Sequence, residues 1–189
     1  MELYDVIRAR HSRRDFRTEP ISRETLERIL AAAAMAPSSG NEQPWTFYVV
    51  TGASRQTLGE IIAQSTVHLS EYMDVLGPKR YEDAVHWFSS LGDAPVLVAI
   101  TVPQPEDELM VLNRYISVGT GLENLLLAAT AEGLGACNIT FSYWVKDEMA
   151  EFLGIDPSSS IVTLVALGWP SDVPVASPQK RDDVAVWLG

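Results

Sequence analysis

Seventeen consecutive residues, Tyr115 to Ala131, carry a single charge, Glu123. Isoleucine, valine, leucine or alanine fall on every side of the helix that this stretch predicts. A helix that is apolar all round must be buried all round, because any face left in water forgoes the burial that stabilises it. The stretch is too short to cross a bilayer, and Ser117, Gly119, Thr120, Gly121, Asn124 and Thr130 make it too polar. It therefore reads as a buried helix. A chain of 189 residues has limited core with which to surround one. Burial across a subunit interface solves that, so an obligate homodimer is expected.

The length suits one domain over residues 1–189, burying roughly 70% of the unfolded surface. Hydrophobic residues make up 47% and charged residues 21%, as in ordinary packed proteins. A formal net charge of −11 argues against nonspecific binding to nucleic acid or to an anionic membrane. Cys137 is the only cysteine, so no intrachain disulfide forms and a cytoplasmic location is expected. Met1 to Asp5 has neither a basic nor an apolar signal region, so no secretory signal is expected.

Apolar periodicity predicts helices over 2–9, 23–36, 54–64, 66–75, 80–90, 106–132 and 145–153. Ser22 is the N-cap of the second, Leu26, Ile29, Leu30, Ala33 and Ala34 are its stripe, and Pro37 stops it. Strands are predicted over 45–51, 94–102, 136–141 and 161–167, with an irregular tail from 170. The crossovers are long and irregular, which disfavours a doubly wound sheet. The expected fold class is α+β, a central mixed, mostly antiparallel sheet flanked by helices.

Five of the fourteen cationic side chains sit between Arg8 and Arg17. Arginine's planar fork donates two parallel charged hydrogen bonds to phosphate, and Ser12 adds a neutral donor. An acidic chain that concentrates arginines there is expected to hold a phosphate-bearing anion. Basic residues after a first helix also offset its macrodipole, which accounts for one or two arginines but not five.

Pro37-Ser38-Ser39-Gly40-Asn41-Glu42-Gln43-Pro44-Trp45 reads either as a plain helix-to-strand turn or as a polar loop against a flat heterocycle. Gly133 and Gly135 either cap the long helix or present bare N–H groups to a ligand. His11, His68 and His86 lack metal-ligand spacing, so no metal site is expected. No Gly-x-Ser-x-Gly elbow occurs, and Cys137 lies in an apolar stretch that suits packing rather than attack. With no protein acid, base or nucleophile standing out, a cofactor is expected to carry any chemistry.

These segments, in this order, resemble the FMN-dependent nitroreductase family. Arg10-His11-Ser12-Arg13-Arg14-Asp15-Phe16 is similar to its N-terminal basic motif. The Pro37 to Trp45 loop is similar to its Pro-Ser-x-x-Asn-x-Gln-Pro-Trp motif, Gly119 to Ile139 to its interface helix and following strand, and Lys180-Arg181 to its C-terminal basic pair. The resemblance implies a homodimer with two FMN sites between subunits. It implies that Arg10 and Ser12, in a motif with His11, hold the phosphate with Lys180 or Arg181. Arg14 would lie nearer the pyrimidine edge, and Ile139 and Thr140 would face flavin N5. Pro37, Ser38, Ser39, Asn41 and Gln43 belong to the loop that the partner subunit would supply. Residues 66–92 match no family pattern. They fall where substrate lids vary, and Tyr72, Tyr81, Trp87 and Phe88 either line a pocket or pack.

The implied activity is ping-pong transfer of a hydride from NADH or NADPH, through the flavin, to a small-molecule acceptor: a nitroaromatic, quinone or enone. Reductive dehalogenation, flavin fragmentation and non-catalytic FMN binding or sensing are the alternatives.

Overall fold

The apolar run before Pro103 forms β3 (Val96–Pro103), at the centre of a five-stranded sheet. Its side chains feed two cores in alternation. Val96, Val98, Ile100 and Val102 join residues of α2 (Arg23–Ala34) and α6 (Glu108–Ala131) on one face. Leu97 and Ala99 meet Leu58 and Ile62 of α3 (Gly52–Ala63) and Met149 of α7 (Lys146–Leu153) on the other. A strand buried on both faces has no polar side to show, which explains the unbroken run. The computed structural model describes residues 2–172 and 181–189.

β3 is flanked by β2 (Thr46–Thr51) and β5 (Ser159–Pro170), both antiparallel to it. The other edge of β5 carries β4 (Gly135–Ile139) and, further along, β1 (Phe16–Arg17). The one parallel element among the described residues is an isolated bridge from Ser12 to Ala136. Every strand pairing among the described residues is antiparallel and helices lie on both sides, the α+β class and mostly antiparallel sheet that the sequence predicts.

Helix α6 departs from the expectation of burial all round. Asp107 caps it, its carboxylate accepting from the Met110 amide at 2.7 Å. Ser117, Val118, Gly121, Leu125, Leu126 and Ala129 are buried. Leu109, Leu112, Tyr115 and Ile116 on another face are between 52% and 65% exposed. A single chain has sheet and α2 on one side of this helix only, so its apolar surround is incomplete. Gly121 keeps α2 close: a Cβ there would stand 3.4 Å from the Ala33 carbonyl oxygen.

Other boundaries also differ. The helix expected at 66–75 is a tight 3₁₀ segment, Gln64–Tyr72, followed by α4 (Met73–Leu76). The next helix, α5 (Pro78–Ser90), begins earlier than expected because Pro78 occupies its first turn. The strand expected at 136–141 stops at Ile139, and Phe141–Val145 coils as 3₁₀ helix. The short β1 carries no alternating pattern that predicts it. Its pairing with Trp169 and Pro170 is set from the far end of the chain.

Candidate functional site

The arginine segment leaves α1 (Leu3–Ala9) and runs beside β4. Backbone bonds fix it there: the Arg13 amide donates to Ala136 at 2.9 Å, and the Ser171 amide donates to Asp15 at 3.1 Å. Arg13 serves this attachment, its guanidinium donating to the Ser171 carbonyl at 2.5 Å. Two glycines make room. A Cβ on Gly135 would stand 2.8 Å from Arg13 Cβ, and one on Gly92, at φ 61°, would collide with the Arg14 carbonyl. The Trp87 indole donates to that carbonyl at 2.9 Å, and the Arg14 guanidinium lies 5.9 Å from a Trp87 ring centroid.

The result is a cavity of about 640 Å³ between this segment, α5 and the end of β4. Its size falls within the usual range for small-molecule sites. From α5 come Arg80, Asp83, Ala84, Trp87 and Phe88, spaced along one helical face; from the β4 side come Cys137 to Phe141. Arg14 closes the wall between them. Neither Arg14 nor Arg80 makes an ion pair among the described residues, so an acidic protein keeps two unpaired guanidiniums on this cavity. Burial pushes the Cys137 thiol up, with the Arg14 charge acting against that shift, so the thiol stays protonated at neutral pH.

The five clustered arginines have different surroundings. Arg8 pairs with Asp5 at 2.7 Å and Arg17 with Glu19 at 3.3 Å. Arg10 at the end of α1 reaches Glu123 on α6 at 3.2 Å. His11 Nδ1 lies 2.7 Å from the Ala9 carbonyl, while its Nε2 is buried without a hydrogen-bond partner among the described residues. Ser12 is exposed beside β4. Ile139 and Thr140 line the cavity with Arg14.

The Pro37 to Trp45 loop does not line that cavity; it is fastened to α6. The Pro37 carbonyl accepts from Thr120 Oγ1 at 2.9 Å, and the Ser39 amide donates to Ser117 Oγ at 3.2 Å. Ser38 Oγ accepts from the Gln43 amide at 2.9 Å, and Gln43 Nε2 donates to Asn41 at 3.2 Å. Asn41 and Gln43 both adopt positive φ, 56° and 46°, a strained state for side chains with a Cβ and one that concentrates at functional loops. Arg181 is exposed and bonds Asp183 at 3.0 Å; it does not line the cavity. Lys180 and the Tyr72 side chain lie outside the described residues. Tyr81 is not part of the cavity wall, whereas Trp87 and Phe88 are. Arg80 and Asp83 escaped the sequence reading; the spacing of 80, 83, 84, 87 and 88 along one helix was the signal for them.

No group of three His, Cys, Asp or Glu side chains among the described residues can hold a metal ion. No helix among them is long and apolar enough to cross a membrane. Fold and cavity together define an α+β protein with a pocket at the β4 edge of a two-faced sheet.

The chain belongs to the Nitroreductase family, whose family model matches residues 7–169. It is 28% identical to the nitrobenzene nitroreductase of Ectopseudomonas oleovorans, over 87% of this chain and 85% of that protein. It is 31% identical to the 5,6-dimethylbenzimidazole synthase of Rhodospirillum rubrum, over 84% and 77%. Its fold is shared with the crystal structure of an FMN and NADPH-dependent nitroreductase from sphigopyxis sp. strain HMH: TM-score 0.83, 21% identity, all of both chains covered.

Proposed function

We propose that this protein is an FMN-dependent oxidoreductase that oxidises NADH or NADPH and reduces a nitroaromatic, quinone or enone in ping-pong order. The observation that carries the reading is Arg14, held without an ion-pair partner among the described residues on the wall of a cavity that Ile139 and Thr140 also line.

The donor set suits FMN. A flavin mononucleotide needs cations for its phosphate, a flat apolar bed, and polar groups along its pyrimidine edge. Arg10 and Ser12, with Lys180 or Arg181, would hold the phosphate; Arg10 would exchange Glu123 for it. The unpartnered Nε2 of His11, buried in the same segment, is the kind of polar atom a ligand satisfies. Arg14 would face the pyrimidine edge, where its charge favours the electron-rich form of the ring. Pro37, Ser38, Ser39, Asn41 and Gln43 would reach the ligand from a second subunit. Two facts support this: the loop is away from its own chain's cavity, and it is fastened to the helix whose apolar face is exposed. When bound, FMN supplies the two-electron chemistry between nicotinamide and acceptor. The protein's own part is to bind, orient and exclude water.

One observation favours a second reading, fragmentation of the flavin itself: the 31% identity to a 5,6-dimethylbenzimidazole synthase. The two part company in one experiment. Under anaerobic conditions NADH or NADPH should bleach the bound flavin, and an added nitroaromatic or quinone should restore its colour repeatedly. Flavin lost on readmitting oxygen, with dimethylbenzimidazole formed, would favour the second reading. Formal charge −11 and the single cysteine suit a cytoplasmic homodimer that meets small molecules rather than nucleic acid or membranes.

A further inference from the structure

The cavity beside Arg14 adjoins a second hollow of about 560 Å³. They share Ala84, Phe88, Thr140 and Phe141, and the Phe88 and Phe141 ring centroids lie 5.0 Å apart at the junction. The chemistry changes across it. Arg14, Arg80 and Asp83 stand on the first side. Leu69, Val75, Tyr143 and Trp144 stand on the second, whose lining among the described residues has no charged side chain. Its outer wall is held by specific contacts. His68 stacks on Trp144 with centroids 4.4 Å apart and planes at 17°, and Tyr143 meets Trp144 edge-on at 5.7 Å. Lys146 caps the Tyr143 ring at 4.7 Å.

We infer that this hollow receives an apolar substituent of the electron acceptor, so that preferred acceptors are reducible rings bearing an alkyl or aryl extension. The inference rests on the oxidoreductase reading above. An acceptor ring stacked on a flavin beside Ile139 and Thr140 would share the first cavity with it, and a substituent directed toward Phe88 and Phe141 enters the second. Val75 and Tyr143, 81% and 62% exposed, offer apolar area that an alkyl or aryl group would cover and a charged substituent would not. A second copy would meet the exposed face of α6 and bring its Pro37 to Trp45 loop to the first cavity, while the hollow lies across the Phe88–Phe141 junction from Arg14. The exposed apolar face of α6 lies on a helix packed against α1, α2 and β4, whereas the segments around the hollow pack on α3, α5 and α7. For a quinone the reaction balances as NAD(P)H plus quinone plus one proton giving NAD(P)⁺ plus hydroquinone. The hydride carries both electrons and one hydrogen, and solvent supplies the other proton.

The test is steady-state kinetics of the FMN-loaded protein with para-benzoquinones bearing a methyl, propyl or hexyl group. The expected result is a rise in kcat/KM with each of the first few methylenes, up to about fourfold per methylene, the factor equivalent to about 0.8 kcal/mol for full burial, expressed mainly in KM. Val75→Asp and Tyr143→Ser should each flatten that rise. Calorimetric titration with para-cresol and para-hexylphenol, which accept no electrons, should give tighter binding of the hexyl compound to wild type and no such preference in Val75→Asp. A wild-type series that is flat or falls, while the methyl quinone is reduced, overturns the inference and leaves the oxidoreductase reading standing. So does a rise that survives Val75→Asp. Failure of NADH and NADPH to reduce the bound flavin would instead overturn the reading on which it rests.

Discussion

The Trp87 indole donates to the Arg14 carbonyl at 2.9 Å, joining residues 73 apart in sequence, and the same ring faces the Arg14 guanidinium at 5.9 Å. One side chain of α5 thus fixes both the backbone and the charge of the cavity's arginine. Trp87→Phe keeps an aromatic face and removes the donor; Trp87→Leu removes both. A neutral hydrogen bond contributes about 0.5–1.5 kcal/mol. An exposed cation–π contact contributes about 0.5–1 kcal/mol. FMN affinity, read by titration, should fall a few-fold in Trp87→Phe and about tenfold in Trp87→Leu. Equal affinity in all three proteins would mean that Arg14 needs no such support.

Arg10 and Arg17 separate the two explanations of the arginine cluster. Arg17 already pairs with Glu19 and lies on β1, away from the cavity. Arg10→Ala should raise the FMN dissociation constant about tenfold or more, since a hydrogen bond to a charged group contributes roughly 1.5–3 kcal/mol. Arg17→Ala should leave it nearly unchanged. Losing the exposed Arg10–Glu123 pair should alter unfolding free energy by no more than about 1 kcal/mol. Small, equal effects on FMN would leave the cluster as a solvated face.

Assembly is best probed on the exposed face of α6. Leu126 sits in the chain's own core at 9% exposure, so a lysine there would unfold the protein whatever its partner. Ile116 is 59% exposed. Ile116→Lys should therefore keep a native far-ultraviolet spectrum while sedimenting as a monomer and losing flavin, because the Pro37 to Trp45 loop would no longer meet a partner's cavity. A wild-type protein that is monomeric at micromolar concentration with full FMN occupancy would contradict the shared site.

Much of this was legible in the sequence, for reasons that differ by element. Ser22 was readable as a cap because capping is local, and its hydroxyl accepts from the Thr25 amide at 3.1 Å. The β3 run was readable because burial on both faces leaves no polar position. The partly exposed state of α6 was not, since periodicity gives composition around a helix but not what covers each side. The α5 wall was legible only as one helical face, not as the wall of a cavity. Trp87 and Phe88 fit a packing helix equally well, and only the fold of Leu91–Asp93 around Gly92 brings them to Arg14.

Two glycines at similar φ distinguish strain from contact. Gly154 is at φ 64° with nothing within 4 Å of where a Cβ would stand, whereas Gly92 at φ 61° abuts the Arg14 carbonyl. Gly154→Ala should cost about 1 kcal/mol, from positive φ alone. Gly92→Ala should cost more in chemical denaturation and should also weaken FMN, because Arg14 must move. Equal destabilisation with unchanged FMN affinity would show that the close approach has no bearing on the site.

The central claim is that Arg10, Ser12 and Arg14 serve a flavin mononucleotide, and the most direct test is FMN binding by the purified protein followed by anaerobic NADH or NADPH. The account predicts a yellow protein that releases FMN rather than FAD on denaturation, rebinds it when the apoprotein is titrated, and bleaches when reduced nicotinamide is added. A colourless protein that shows no binding across an FMN titration would contradict it.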